Sequence, residues 1–152
     1  MAHDIDVIFG TDAADLPSED EFAVWATAAL TGRSACALSI RVVDEAEGRA
    51  LNHEYRQRDY ATNVLSFPTE LPEEILGALA QRPLGDLAIC APVVTGEAAE
   101  QGKPVTHHWA HLTVHGVLHL QGHDHQTEHE AADMEAKERE ILADLGIPDP
   151  YA

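Results

Sequence analysis

His115, His119 and His125 stand in the run HGVLHLQGHDH, at the spacing H-G-x-x-H-x-x-G-x-x-H. One turn of helix separates the first two, which puts both imidazoles on the same face. Gly122 can then adopt the left-handed conformation that ends a helix and swings the chain back. That return brings His125 toward the same point in space. Three protein ligands leave a fourth position for water, the arrangement of a catalytic metal rather than a closed structural one. His111 extends the helical stripe to i, i+4 and i+8. The rise over eight residues is about 12 Å, whereas each ligand nitrogen lies about 2 Å from zinc, so His111, His115 and His119 cannot share one ion. His123 competes with His125, which is favoured because three residues after Gly122 give the chain length to reverse. Asp124 is then a natural acceptor for the second nitrogen of a ligand imidazole. His3, His53, His107 and His129 carry no spacing argument.

The same spacing occurs in the metzincin peptidases, H-E-x-x-H-x-x-G-x-x-H, with one difference. Where those enzymes carry the glutamate that deprotonates a metal-bound water, this chain has Gly116. A glycine cannot act as a general base, so peptidase chemistry is disfavoured unless a carboxylate comes from elsewhere. The chemistry instead calls for a metal-activated water and a separate cation to meet developing charge. Arg56 and Arg58, in LNHEYRQRDYATNVLSFP, are candidates for that cation. A guanidinium fork donates bidentately to phosphate oxygens and stabilises charge in a phosphoryl transition state. An arginine that merely complements a helix dipole would look the same in sequence.

The elements that must position these residues can be read from their boundaries. Residues 4–9 alternate as a strand, and Ser18 with Glu21 forms a capping box for a helix through EFAVWATAAL that Gly32 stops. ACALSIRVV at 35–43 reads as a strand, followed by a helix capped by Asp44 and Glu47 and running through LNHEYRQ. A short strand, 62–67, is closed by Pro68. Residues 69–83 form a surface excursion with a short helix at EEILGALA. A strand at 84–91 leads into a helix with Pro92 in its first turn, ending near Gly102. Pro104 opens the histidine-bearing helix. Thr127 with Glu130 caps a last one, ended by Gly146 and Pro148. Strands in the first two thirds, with helices between and after them, predict an α+β domain.

A chain of 152 residues, 45% of them apolar, is expected to form one domain spanning 1–152 with a substantial core. No apolar run approaches the roughly 20 residues of a membrane span, so no membrane association is expected. The N-terminus has early acids and no secretory pattern. Cys36 and Cys90 stand apart from any C-x-x-C pattern and are expected as buried thiols, in keeping with the cytoplasm. The net charge of −18 opposes binding to nucleic acid except through a local basic surface. Five of the nine basic side chains (Arg33, Arg41, Arg49, Arg56 and Arg58) fall between residues 33 and 58, and acids crowd the two ends, so a basic groove on an acidic body is possible.

LNHEYRQRDYATNVLSFP, LGDLAIC, and HWAHLTVHGVLHLQGHDH followed by MEAKEREIL resemble, in the same order, the YbeY family of ribosomal RNA maturation endoribonucleases. The likeness runs from about residue 36 to Tyr151. It implies a zincin-like α+β fold, with a small mixed sheet flanked by helices and the metal site at the end of the HGxLH helix. His115, His119 and His125 match the family's metal ligands, Arg56 matches its functional arginine, and Arg58 matches no fixed position. One zinc ion with three histidines and a water is implied. The implied activity is single-strand-specific cleavage of RNA, in maturation of the 3′ end of small-subunit ribosomal RNA and in ribosome quality control. The implied partners are ribosomal RNA and the small ribosomal subunit with its proteins. His123 stands where many members have tyrosine, so it joins Asp124 as a residue expected to line the cleft. The rivals are a non-enzymatic ribosome-assembly factor with a structural zinc, and a metal-dependent hydrolase or peptidase of another substrate.

Overall fold

In the computed structural model, residues 3–122 and 127–151 are described, and they form four strands and six helices. Their order is β1 (Asp4–Phe9), α1 (Glu19–Ala28), β2 (Cys36–Val43), α2 (Glu45–Arg56), β3 (Val64–Pro68), α3 (Glu73–Ala78), β4 (Arg82–Cys90), α4 (Ala91–Gln101), α5 (Val105–Leu120) and α6 (Glu128–Asp144). The strands make one sheet in the order β1-β2-β4-β3. The first two pairings are parallel and the third is antiparallel, so the sheet is mixed, as expected. β3 therefore lies at an edge, where Pro68, which has no N–H to donate, costs the ladder least.

Alternation explains β2: Cys36, Leu38, Ile40 and Val42 are buried and point to one face. α1 and α5 meet around Phe22, whose ring packs edge-on against both Trp25 and Trp109 at 5.6 Å. The caps behave as their residue types dictate. Ser18 and Glu21 form the full reciprocal box. Asp44 accepts from the Glu47 N–H, but the Glu47 carboxylate turns instead to Arg41, at 2.7 Å. α1 ends at Ala29, ahead of the turn in which Gly32 takes φ +87. β4 begins at Arg82 rather than 84, because Arg82 and Pro83 already pair with Cys36 and Ala37.

Between those pairs and Gly85 the β2–β4 register slips by one residue. Gly85 has φ +138, and a Cβ there would sit 2.2 Å from the Phe67 carbonyl oxygen and 2.9 Å from Pro68 Cα. Neither is a flexible side-chain end. Gly85→Ala is therefore expected to destabilise the fold by about 2–5 kcal/mol, from combined backbone strain and overpacking. A denaturant titration would show this as a lowered midpoint, and an unchanged midpoint would refute it.

Candidate metal centre and arginine groove

α5 is buried along most of its length. Its half-open line is His107, His111, His115 and His119, one residue per turn. The face is thus set by packing: Trp109, Ala110, Leu112, Val114, Val117 and Leu118 all enter the core. The rings of His115 and His119 are closest, with centroids 4.7 Å apart, against 6.1 Å between His111 and His115. Past the helix, Gly122 takes φ +95, the conformation required to turn the chain. His123, Asp124 and His125 lie outside the described residues.

Behind this face sits a carboxylate that motif spacing did not reveal. Glu138 of α6 is fully buried. Its Oε1 accepts a hydrogen bond from His115 Nδ1, and its Oε2 accepts from the Tyr151 hydroxyl and from His111 Nε2, the last at 3.2 Å. Burial pushes this carboxyl up, but hydrogen bonds from His111, His115 and Tyr151 outweigh it and hold the group down at about 2. Burial, and then the Glu138 carboxylate itself, push the Tyr151 phenol well above its ordinary value. His111, His115 and Glu138 bring ligand-capable atoms within 4.8 Å of one another, so this cluster could hold a metal ion. The sequence did carry one signal for Glu138. Met134, Glu138 and Leu142 share one buried face at i, i+4 and i+8, and a glutamate on an apolar stripe needs a reason.

The donor chemistry fits a metal such as zinc. Because the ionised Glu138 can only accept, His115 carries its proton on Nδ1 and its lone pair on Nε2. That imidazole stands one turn from His119, as two ligands of one tetrahedral ion require. His111 is committed elsewhere: its Nε2 is shared between Glu138 and Tyr151 Oη, each at 3.2 Å, and its Nδ1 is buried without a partner.

Gly116 has a structural cause. A Cβ at this position would lie 2.8 and 2.9 Å from the two Leu87 methyls and 3.3 Å from Val64 Cγ2. α5 presses its backbone onto the sheet here, so the glutamate of the peptidase pattern would have to displace the buried Leu87 side chain. Glu138 is poorly placed to replace it as a base, because both its oxygens are engaged in hydrogen bonds and the side chain is fully buried.

β3 connects the histidine helix to the arginine. Val64 and Ser66 face α5, with Ser66 Oγ 3.4 Å from the Gly116 carbonyl oxygen. Phe67 faces the other way and packs edge-on against Tyr55 of α2 at 4.8 Å. Arg56, the last residue of α2, lines a hollow of about 440 Å³ along this edge together with Tyr55, Ser66, Phe67 and Glu70. The loop after Arg56 is pinned by Asn52 Nδ2, which donates to the Tyr60 carbonyl at 2.7 Å, and by the two-pronged Arg49–Asp59 pair at 2.8 Å. Of the five arginines in the basic segment, Arg41 and Arg49 are spent on ion pairs. Among the described residues, Arg33, Arg56 and Arg58 enter none.

His108 is a structural histidine. Its Nε2–H donates to Glu97 at 2.9 Å, while its Nδ1 is buried without a partner. Burial pushes its pKa down, against the opposing pull of Glu97. A depressed folded pKa means stability that is present above the unfolded value of about 6.5 and is lost as pH falls below it. The metal-free protein should therefore lose stability between pH 7.5 and 5.5, and His108→Gln should flatten that slope. Equal slopes in denaturation at the two pH values would contradict this assignment.

Comparison with known proteins agrees across nearly the whole chain. A family model described as Endoribonuclease YbeY matches residues 13–146. A protein of Xanthomonas axonopodis pv. citri named Endoribonuclease YbeY is 60% identical over 150 residues, covering 98% of this chain and 93% of that one. One of the same name from Pseudomonas putida is 57% identical with the same coverage. The solution structure of TM1509 from Thermotoga maritima superposes with a TM-score of 0.59 at 20% identity, covering 93% of this chain and 91% of that one, a likeness of fold.

Proposed function

The chain belongs to the Endoribonuclease YbeY family, and from that premise we propose that it is a zinc-dependent, single-strand-specific endoribonuclease of ribosomal RNA maturation. The observation that carries the reading is that β3 touches both elements: its Ser66 reaches the Gly116 carbonyl beside His115 on α5, and its Ser66 and Phe67 line the hollow with Arg56. His115, His119 and His125 would hold the ion, leaving one position for water or substrate. When bound, the metal supplies Lewis acidity at the phosphate and a lowered pKa for water.

The chain's own residues divide the remaining work. Arg56 donates its guanidinium fork to non-bridging phosphate oxygens and offsets charge that builds up during cleavage. Its lack of a carboxylate partner among the described residues leaves those donors available. Ser66 and the β3 edge set the distance between arginine and histidines. Single-strand preference follows from the site's position beside a strand edge, which a flexible backbone can follow and a rigid duplex cannot. Cys36 and Cys90 are free and buried, and burial pushes the Cys90 thiol up, so neither serves as a nucleophile. Free cysteines suit a cytoplasmic protein. Among the described residues no helix is long and apolar enough to cross a membrane. The strong acidity favours RNA contact through the edge that Arg56 lines, and the family resemblance supports the small ribosomal subunit and its proteins as the partners that bring substrate to it.

Purified protein offered single-stranded RNA, the same sequence as duplex, and an unstructured peptide discriminates among the readings. The proposal expects cleavage of the single strand alone, abolished by chelator. Peptide cleavage would favour a hydrolase of another class, and no cleavage of any substrate would favour an assembly factor.

A further inference from the structure

We infer that Glu138 and Tyr151 are positioning residues for the metal centre: Tyr151 fixes the Glu138 carboxylate, which locks His115 with its Nε2 lone pair toward the ion. The inference rests on the proposed metal-binding role of His115 and His119, and adds to it a dependence on Tyr151, which follows α6.

A fully buried carboxylate is costly unless each oxygen is satisfied. Glu138 meets that condition without lysine or arginine among the described residues. Its donors are His115 Nδ1, His111 Nε2 and the Tyr151 hydroxyl. The arrangement selects one His115 tautomer and one ring orientation, since a flipped ring would point a carbon at the carboxylate. Tyr151 is held in turn. Its backbone N–H donates to Asp149 at 2.8 Å, Asp149 pairs with Arg139 at 3.1 Å, and the Arg139 guanidinium lies 5.3 Å from the Tyr151 ring centre. Glu138 and Arg139 are neighbours on α6, so this helix and the C-terminal turn close on each other around His111 and His115. Direct ligation by Glu138 would require breaking these bonds, whereas support from behind His115 uses them all.

The test is zinc affinity, by competition with a chromophoric chelator, for wild type, Glu138→Gln, Tyr151→Phe and the double variant. Nitrogen-15 NMR of the metal-free proteins reports the His115 tautomer. Loss of an outer partner of this kind costs about 10–100-fold in metal affinity, and Glu138→Gln should fall in that range. Tyr151→Phe, which removes one hydroxyl from a partly exposed residue, should weaken zinc binding less. The double variant should match Glu138→Gln, because Tyr151 acts through Glu138. In wild type His115 should be protonated at Nδ1, and this preference should weaken in both single variants. Unchanged affinity and tautomer in Tyr151→Phe would overturn the inference even if Glu138→Gln failed to fold. Additive losses in the double variant would also overturn it, as would zinc binding that needs Glu138 but survives His119→Ala. Failure of wild type to bind zinc would instead overturn the metal reading itself.

Discussion

His119→Ala should lose both its metal and its cleavage of single-stranded RNA while remaining folded. The side chain is half exposed on α5, and its ring approaches that of His115 at 4.7 Å without joining the apolar packing around Trp109. Truncation therefore removes a proposed ligand without opening a core cavity, and the thermal transition of the metal-free variant should stay near that of metal-free wild type. With two of three protein ligands left, the ion exchanges into buffer, and activity falls to background. A variant that keeps stoichiometric zinc and full activity would show that the ion is held elsewhere, for instance by His111, His115 and Glu138.

Arg56→Ala is the second large effect, and its signature is different. Removing a preorganised donor to a developing oxyanion costs about 10²–10³ in kcat. Zinc content should be unchanged, because a guanidinium is no zinc ligand and Arg56 ends α2, in a hollow that it lines with β3 residues. Arg56→Lys should recover only part of the rate, since an ammonium cannot reproduce the planar fork. Arg49→Ala is the informative contrast. That guanidinium is consumed by Asp59, so its loss should loosen the loop after α2 and reduce activity far less. Equal losses for Arg49 and Arg56 would mean that the segment acts only through its positive charge.

What could be read from the sequence follows from the range of each interaction. His115 and His119 were legible because one turn of helix decides their relation, and Gly122 because a reversal after a helix favours glycine. The capping residues Ser18, Asp44 and Thr127 were legible for the same local reason, and all three accept from the N–H three residues on. Gly116 was legible as a missing base. Its cause was not, because the contact with Leu87 and Val64 is made only when α5 meets the sheet. Glu138 escaped because its partners are 13 to 27 residues away in sequence. The arginine-rich segment could not be sorted by composition: only the fold shows that Arg41 and Arg49 are paired and that Arg56 lines the hollow.

In the proposed mechanism one site combines the α5 histidines, a metal and Arg56 to cut single-stranded RNA. Its most direct test is metal content and RNA cleavage rate measured on the same preparations: wild type as purified, stripped by chelator, and stripped then restored with zinc. One zinc per chain is expected, with activity that disappears with the metal and returns with it, no return for His119→Ala, and for Arg56→Ala a return only to a level about 10²–10³-fold lower. Cleavage that persists undiminished in stripped protein, or that survives equally in both variants, would contradict it.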